Sequence, residues 1–303
     1  MSPVIVGCGY VGSEVARLLQ AEGHDVSAVA RTSASLEVLA GLGISTFQAD
    51  LDAPAGGESP ALRLAGRQVF YFVPPPGEGR EDWRLRAWLR FRETDRPRRV
   101  VYISTTGVYG DCSGDWVAED RPVKPRADRA WRRWDAEQAL SSWSEASGVE
   151  VVILRVAGIY GPRRLPLARI RSGEPIVRRD EAPYTNRIHV DDLSALSVAA
   201  MRHGLSGRVY HACDGRPGNM TDYFHRVADA AGLPRLPEIP LAEAEGRLSL
   251  GLLSYLRESR RLSNRRAREE LGVTFRFPNL DAGLADCLPR SGGRDAISRS
   301  ASR

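Results

Sequence analysis

Three glycines near the N-terminus have the spacing of a phosphate-binding turn. Gly7, Gly9 and Gly12 form a G-x-G-x-x-G sequence that also contains Tyr10 and Val11. The first glycine permits a tight bend, the second lets a pyrophosphate approach the backbone, and the third lets the next helix pack closely on the strand. Free N–H groups and the dipole at the helix start then favour negative charge. The residues predict a dinucleotide site, with a glycine-rich turn that binds nothing as the alternative.

The segments on either side of this turn are those that a nucleotide site requires. Residues 4–6 are Val, Ile and Val, which predict a buried strand directly before the first glycine. Apolar residues at helical spacing predict a helix from Ser13 to Glu22. This strand–turn–helix context gives the glycine pattern its meaning.

The end of the second predicted strand bears on the choice of nucleotide. Sites for NAD usually carry Asp or Glu about 20 residues after the glycines, where it binds the ribose 2′-hydroxyl. No carboxylate ends this strand, and Arg31 stands there instead. Because arginine can pair with a 2′-phosphate, we expect NADP(H) in preference to NAD(H). The alternative is an ordinary surface arginine.

Strands alternate with helices over the first half of the chain. Further strands are predicted at 25–30, 44–48, 69–73, 98–104 and 151–156, and further helices at 36–41, 81–93 and 127–147. This alternation predicts an α/β protein with a doubly wound parallel sheet of the Rossmann type.

The alternation weakens after residue 160, which indicates a second structural unit. We expect residues 1–160 to form the dinucleotide-binding core, with 186–214 returning to it. Segments 161–185 and 215–289 are rich in Pro, Gly and Arg and predict a smaller substrate lobe. Residues 290–303 have little to bury and predict a disordered tail.

Composition excludes several classes of protein. Four cysteines and five histidines show no CxxC or HExxH spacing, so we expect neither a metal site nor a disulfide framework. The 43 Lys and Arg residues are spread among 38 acids, which favours a mixed solvated surface over nucleic-acid binding. No apolar run is long enough to span a membrane. The N-terminus lacks the basic and apolar regions of a secretory signal, so we expect a cytoplasmic location.

Short motifs follow one another in order along residues 3–289. They are GCGYVG at 7–12, ALD at 49–51, VPPPG at 73–77, STTGVYG at 104–110, LRVAGIYGP at 154–162, NRIHVDDL at 186–193, VYHACDG at 209–215 and LSNRRAREELG at 262–272. Together they resemble the motifs of extended or atypical short-chain dehydrogenases/reductases of the NAD-dependent epimerase/dehydratase type.

This resemblance implies roles for residues at the strand ends. The implied cofactor contacts are Asp50 and Leu51 at the adenine, Val73 and Pro74 beneath the cofactor, and Ala157, Gly158 and Ile159 at the nicotinamide. His189 and Asp191 match a structural turn of the family that ties the second lobe to the sheet. We therefore interpret these two residues as scaffold.

The chain departs from the family at the residues that transfer a proton. The family uses a Ser or Thr together with Tyr-x-x-x-Lys on a helix, where the lysine lowers the tyrosine pKa. Thr105 matches the hydroxyl, but the tyrosine slot falls on Arg129 and the lysine slot on Arg133. Lys124 is the only lysine, so no Tyr-x-x-x-Lys exists anywhere in the sequence.

Arginine cannot replace the missing base, because it stays protonated. Arg129 and Arg133 could instead clamp a phosphate or carboxylate of a substrate. The alternative is solvent exposure, or ion pairs with Asp128, Asp135 or Glu137.

Other candidates for acid–base chemistry are few. Tyr109 and Tyr160 lie in family loops near the expected nicotinamide, with packing beneath the loops as the favoured alternative. Thr105 can hydrogen-bond a carbonyl. Glu119 and Asp120 follow the fifth predicted strand and could reach a pocket.

Tryptophans are concentrated in the two helices predicted at 81–93 and 127–147. Five of the six tryptophans lie there. Such helices often pair across a two-fold axis in the family, so exposed aromatic residues on them would mark a homodimer interface. The alternative is that they cover the sheet within one subunit.

Two classes of function fit these observations. The first is an NADP(H)-dependent oxidoreductase or epimerase-like enzyme, acting on a small substrate that is a sugar nucleotide or another anion. The second is a non-catalytic protein that senses or holds NADP(H), which the missing tyrosine and lysine favour. The substrate contacts lie in the second lobe, where no motif indicates them.

Overall fold

Seven parallel strands form the central sheet of the computed structural model, which describes residues 2–52 and 62–288. In chain order the strands are β1 (Val4–Val6), β2 (Ser27–Ala30), β3 (Ser45–Gln48), β4 (Gln68–Tyr71), β5 (Arg99–Thr105), β6 (Trp116–Val117), β7 (Glu150–Val156), β8 (Gly158–Tyr160), β9 (Ile176–Val177), β10 (Tyr184–Thr185), β11 (Arg187–His189), β12 (Val209–Ala212), β13 (Gly218–Asn219), β14 (Glu238–Ile239) and β15 (Arg261–Leu262). The helices are α1 (Tyr10–Ala21), α2 (Ser33–Gly41), α3 (Trp83–Arg90), α4 (Asp128–Ser147), α5 (Leu167–Arg171), α6 (Val190–His203), α7 (Met220–Ala230), α8 (Leu250–Leu256), α9 (Arg265–Leu271) and α10 (Leu280–Cys287).

The order of the strands creates the crevice in which such folds bind ligands. The sheet runs β3-β2-β1-β4-β5-β7-β12, and every neighbouring pair is parallel. The chain extends to one side of β1 through β2 and β3, and to the other side through β4 and β5. This reversal opens a crevice at the carboxyl ends of β1 and β4. The predicted doubly wound α/β fold is confirmed.

Helices cover both faces of the sheet, which explains the continuous apolar runs of its central strands. Along β5 and β7, residues 100–103 and 151–154 are almost entirely apolar and buried. Helices α1 and α6 pack on one face and α3 and α4 on the other. Strands that are covered on both faces lose the polar alternation of a half-exposed strand.

A second apolar core lies outside the sheet. It is formed by α5, α7, α8 and α10, through side chains that include Ile170, Phe224, Val227 and Leu284. Short strand pairs, β9 with β14 and β10 with β13, connect its segments.

The segment predicted to return to the core packs on the sheet rather than on this second core, and α9, from the segment predicted as substrate lobe, does so too. Strand β12 pairs with β7 at the sheet edge, and Ala267 and Leu271 of α9 belong to the core beneath α6. The boundaries that the sequence predicts for the lobe stay a prediction. The predicted tail at 290–303 lies outside the described residues.

The long predicted helices are present with small changes at their ends. The segment predicted at 81–93 is helical as α3, from Trp83 to Arg90, and that predicted at 127–147 is α4, from Asp128 to Ser147. Within residues 2–52 and 62–288, no helix combines the length and apolar character that crossing a membrane requires.

Candidate active site

The glycine turn is built by a close approach between β1 and β4. Gly7 has φ +86°, and a Cβ atom there would lie 2.7 Å from the backbone nitrogen of Val73. At Gly12 a Cβ would lie 3.0 Å from the Ile5 side chain, so this glycine lets α1 pack on β1. Position 9 differs, because a Cβ at Gly9 would meet no atom within 4 Å. The turn therefore leaves space above Gly9, where a diphosphate would approach.

The start of α1 has the polarity that an anion site needs. Gly9 caps this helix, and no side chain accepts a hydrogen bond from its first turn. The N–H groups of that turn remain available, and the helix dipole adds to their positive character. Tyr10 and Val11 belong to this turn, and the Tyr10 hydroxyl donates to the carbonyl oxygen of Pro162 at 3.0 Å.

Arg31 lies at the end of β2 with an exposed side chain. Its Nη1 is 3.3 Å from Oδ2 of Asp52. Arg84 holds the same carboxylate, with Nη2 at 2.8 Å from Asp52 Oδ2, and donates to the carbonyl oxygen of Pro74 at 3.0 Å. Arg84, with a smaller contribution from Arg31, holds the pKa of Asp52 below its ordinary value. Motif reasoning missed Asp52 and Arg84, because neither belongs to the glycine fingerprint.

The residues implied at the adenine and beneath the cofactor lie at the carboxyl ends of two strands, with β1 and β2 between them in the sheet. Asp50 and Leu51 follow β3, and Val73 and Pro74 follow β4. Asp50 is exposed, and its Oδ1 accepts the N–H of Asp52 at 3.0 Å. All four lie on the carboxyl side of the sheet, as the glycine turn does.

A cavity of about 390 Å³ lies between the sheet and the second lobe. The lining residues that the sequence predicted are Thr105, Arg129, Arg133, Ala157, Gly158 and Ile159. Others that line it are Pro75, Thr106, Tyr184, Asn186, Arg187, Tyr255, Glu258 and Arg260. The structure thus brings the implied nicotinamide contacts together with the two arginines of the family's catalytic slots.

Arg129 and Arg133 project from one face of α4 into this cavity. Arg129 Nη1 donates to the Ser254 hydroxyl at 2.7 Å, and its guanidinium lies 4.2 Å from the centre of the Tyr255 ring. Arg133 Nη1 donates to the Tyr102 hydroxyl at 3.0 Å. Their spacing of four residues places both on the same side of the helix.

The acids that sequence reasoning offered as partners for these arginines are engaged elsewhere. Asp128 pairs with Arg80, Asp135 accepts from Arg86 and Glu137 pairs with Arg155. No carboxylate among the described residues lies within ion-pair distance of Arg129 or Arg133. The alternative of ion pairs with those three acids is therefore wrong.

Thr105 ends β5 at the floor of the cavity. Its Oγ1 accepts the N–H of Gly107 at 3.1 Å, which fixes the short helical turn of residues 106–109. The hydroxyl hydrogen remains able to donate into the cavity.

Tyr109 does not join Thr105 in the cavity, because the same short turn directs it into the protein. Its side chain is 1% exposed. Its hydroxyl lies 2.6 Å from Nε2 of His211 and accepts from Nη1 of Arg155 at 2.7 Å. Burial raises the pKa of Tyr109 to about 12. This position fits packing beneath the loop, the alternative noted for the tyrosine.

In the acidic loop after β5, Glu119 is also part of the interior, whereas Asp120 is exposed. Glu119 Oε1 accepts the backbone N–H of His211 at 3.1 Å, and burial lowers the pKa of His211 to about 3. The buried residues Arg155, Glu137, Tyr109, His211 and Glu119 thus form one polar network behind the cavity.

The residues interpreted as scaffold occupy the start of α6. His189 is fully buried and caps this helix, because its Nδ1 accepts the N–H of Asp191 at 3.3 Å. Asp286 approaches the other ring nitrogen at 3.6 Å. The side chains of His189, Asp191 and Asp286 are of types that can bind a metal ion, and the fold brings them together. Their spacing in the sequence did not predict this group. The positive charge at this place comes from Arg276, whose guanidinium pairs with the Asp191 carboxylate at 3.2 Å.

Sequence reasoning placed substrate contacts in the second lobe but did not identify the residues there, or Arg187 of β11, that line the cavity. Arg187 lies with its guanidinium 4.1 Å from the centre of the Tyr223 ring, and burial lowers its pKa. Arg260 pairs with the buried Glu258 at 2.9 Å. The only signal for Arg187 was its place in the NRIHVDDL motif, and Tyr255 lay in a segment without a recognisable pattern.

Comparison with known proteins supports the kinship that the motifs indicate. A model of the NAD dependent epimerase/dehydratase family matches residues 82–213. Protein YeeZ of Escherichia coli (strain K12) is 24% identical over 291 residues, covering 91% of this chain and 96% of YeeZ.

Solved structures extend this likeness to the three-dimensional fold. A functionally unknown conserved protein from Silicibacter pomeroyi DSS is 30% identical, with a TM-score of 0.79 over 94% of this chain and 96% of that one. The UDP-glucose 4-epimerase of Thermus thermophilus, in complex with NAD, is 20% identical, with a TM-score of 0.73 over 95% and 97% of the chains. The fold, the family match and the relative at 30% identity show that the chain belongs to the NAD dependent epimerase/dehydratase family.

Proposed function

We propose that this protein is an oxidoreductase or epimerase-like enzyme that uses NADP(H) and acts on a small anionic substrate. The observation that carries the proposal is the shared cavity, where the implied nicotinamide contacts meet Thr105, Arg129 and Arg133. The nucleotide would supply or accept a hydride at this point. A family relative bound to NAD supports pyridine-nucleotide binding in general.

The glycine turn fits such a nucleotide. Side chains at Gly7 or Gly12 would crowd Val73 or Ile5, whereas the space above Gly9 stays open for a diphosphate. The diphosphate would lie on the N–H groups of Tyr10, Val11 and Gly12 at the start of α1. The adenine would lie between Asp50 and Leu51.

The preference for NADP(H) is a finer proposal that depends on Arg31. Its exposed guanidinium lies at the end of β2, next to Thr32, which caps α2. A 2′-phosphate there would meet a cation and the positive end of a helix. Arg84 would keep Asp52 in place when Arg31 turns to the phosphate.

The side chains in the cavity can orient and polarise a carbonyl substrate. The Thr105 hydroxyl can donate a hydrogen bond to a carbonyl oxygen, and Arg133 can stabilise the negative charge that develops on it. Neither arginine can accept a proton at neutral pH. The proton therefore exchanges with water, through Thr105 or directly.

Titration of both reduced nucleotides, followed by turnover measurements, tests this function. We expect NADPH to bind at least tenfold more tightly than NADH, and Arg31→Leu to remove the difference. Arg17→Leu is a matched control, since Arg17 is an exposed arginine of α1 paired with Glu14. Tighter binding of NADH would refute the NADP(H) preference.

A panel of carbonyl substrates then separates the enzyme from the sensor. We expect hydride transfer that Thr105→Val slows by about 100- to 1,000-fold, the range for loss of one polarising donor. NADPH binding without turnover of any carbonyl would favour a non-catalytic NADP(H) sensor. The absence of Tyr-x-x-x-Lys from the sequence is the observation that supports this second candidate.

We also propose a homodimer that pairs α3 and α4 across a two-fold axis. Trp83 and Phe91 lie on or next to α3 and are 44% and 47% exposed. Exposed aromatic side chains are enriched in protein interfaces. Trp88, by contrast, covers the sheet within the subunit.

A further inference from the structure

The arginines that line the cavity carry more positive charge than the carboxylate that lines it can neutralise. Arg129, Arg133, Arg187 and Arg260 line it, and Glu258 is the carboxylate among the lining residues. Glu258 pairs with Arg260 at 2.9 Å. In the part of the chain that the structure describes, the other three guanidinium groups have no carboxylate within 4.0 Å.

Neutral groups hold two of these arginines in fixed orientations. Arg129 is bound by a hydroxyl and stacked on Tyr255, and Arg187 donates to the carbonyl oxygen of Asn186 at 3.0 Å and is stacked on Tyr223. A stacked guanidinium keeps the N–H groups at its edge for bonds in its own plane. The orientation is therefore set without neutralising the charge.

The carboxylate of Asp214 contributes little to this balance. It influences Arg187 from beyond ion-pair distance, and burial raises the pKa of Asp214 to about 7. The group is thus only partly ionised at neutral pH. Three cations that share one cavity repel one another, and partial burial makes each more costly. A bound anion would offset both costs.

The size of the cavity limits what this anion can be. Its volume of about 390 Å³ must admit a nicotinamide ring at residues 157–159 as well as the substrate. Pockets for a drug-sized ligand alone span roughly 300–1,000 Å³. The anionic group and the reacting carbon must therefore lie close together in a compact molecule.

We infer that the substrate is a compact 2-oxo or 2-hydroxy carboxylic acid, whose carboxylate is bound by Arg129 and Arg187. This inference rests on the proposed function and specifies its substrate class. The planar carboxylate matches the fork of N–H groups that arginine presents. Arg133 and Thr105 then face the oxygen on the neighbouring carbon.

The reaction balances without a further co-reactant. In reduction, the carbonyl carbon of the 2-oxo acid accepts a hydride, with its two electrons, from the reduced nicotinamide. The carbonyl oxygen takes one proton from water. The products are the 2-hydroxy acid and the oxidised nucleotide, and the reverse reaction returns the proton to water.

Oxamate is a suitable probe, because it has the shape of a small 2-oxo acid and resists reduction. Calorimetric titration of the full chain with oxamate, in the presence of saturating NADPH, measures binding without turnover. We expect Arg129→Leu and Arg187→Leu to weaken oxamate binding at least tenfold. Arg257→Leu is the matched control, since Arg257 is an exposed arginine of the same lobe that pairs with Glu245 outside the cavity. This control should bind oxamate as the unaltered protein does.

Charge-conserving variants guard against a loss of folding. Arg129→Lys and Arg187→Lys keep the cation but lose the fork, so both should still weaken oxamate binding. Unchanged affinity in the lysine variants would overturn the carboxylate clamp, as would tighter binding of inorganic phosphate or UDP-glucose than of oxamate. If NADPH binds and oxamate does not, this inference fails alone. If NADPH does not bind, the proposed function fails with it.

Discussion

Gly7 and Gly9 perform different tasks within one turn, as the motif predicts. Gly7 combines a positive φ with a backbone neighbour at 2.7 Å, whereas Gly9 faces open space. The fold therefore depends on the absence of a side chain at the first position. At the second position, the same absence serves a ligand.

We predict that substitutions at these two glycines separate stability from binding. Gly7→Ala should lower the free energy of unfolding by about 1–3 kcal/mol, because its φ is unfavourable for alanine and β4 must shift. Gly9→Glu should unfold within about 0.5 kcal/mol of the unaltered protein, yet lose binding of NADPH. Chemical denaturation and nucleotide titration measure the two effects. An equally tight nucleotide complex in Gly9→Glu would contradict the assignment of this turn.

Sequence reasoning reached the residues that backbone geometry demands more readily than those that tertiary packing selects. The glycine turn was predictable, because close approach restricts those positions to one residue type. For Tyr109 the sequence favoured packing beneath the loop but did not predict its partner, because His211 lies 102 residues later. Arg187 reaches the cavity from β11 and Tyr255 reaches it from the second lobe, and neither the NRIHVDDL motif nor any periodicity predicts that these side chains meet there.

At the scale of elements, one buried polar network joins α4, β7 and β12 behind the cavity. Arg155 of β7 binds Glu137 of α4 at 2.7 Å and the Tyr109 hydroxyl at 2.7 Å. His211 of β12 completes the network on the other side of Tyr109. Removing one side chain of this network would leave its buried partners without hydrogen bonds. The network therefore couples the edge strand β12 to α4, the helix that carries Arg129.

We predict that His211 makes the protein less stable in acid. The unfolded chain takes up a proton at this residue below a pKa of about 6.5, whereas the folded protein resists protonation down to about 3. Over that interval the unfolded state binds the extra proton, so the contribution of His211 to stability falls by about 1.4 kcal/mol per pH unit as the pH drops.

Urea denaturation from pH 7 to pH 4 tests this effect. The unaltered protein should lose stability more steeply than His211→Gln, whose side chain does not titrate. His24→Gln is the control, because it makes the same substitution at an exposed histidine. Parallel slopes for the unaltered protein and His211→Gln would refute the prediction.

For the whole molecule, the tryptophans distinguish an inner surface from an outer one. Trp88 is 1% exposed and packs with its ring centre 5.0 Å from that of Tyr71. Trp83 lies five residues earlier, about 140° around the helix, and is 44% exposed. The tryptophans that lie close together in the sequence therefore include one in the core, Trp88, and one at a candidate interface, Trp83. Their different positions around the helix decide which side each one faces.

We predict that Trp83→Ser weakens self-association without unfolding the subunit. Removing an exposed side chain should change the free energy of unfolding by less than about 0.5 kcal/mol, but should shift the dimer towards monomer in sedimentation experiments. Trp116→Ser is the control, because Trp116 is 54% exposed on a different element. A monomer at every concentration of the unaltered protein would dismiss the dimer.

The edge strand β12 comes late in the chain, after the first segment of the second lobe at residues 161–185. During synthesis, β7 is complete while the segment that will cover its outer edge has not yet left the ribosome. At about 5–20 residues per second, that edge stays open for several seconds. Unpaired strand edges pair with other chains, so we expect the nascent protein to be most prone to aggregation before residues 209–212 emerge.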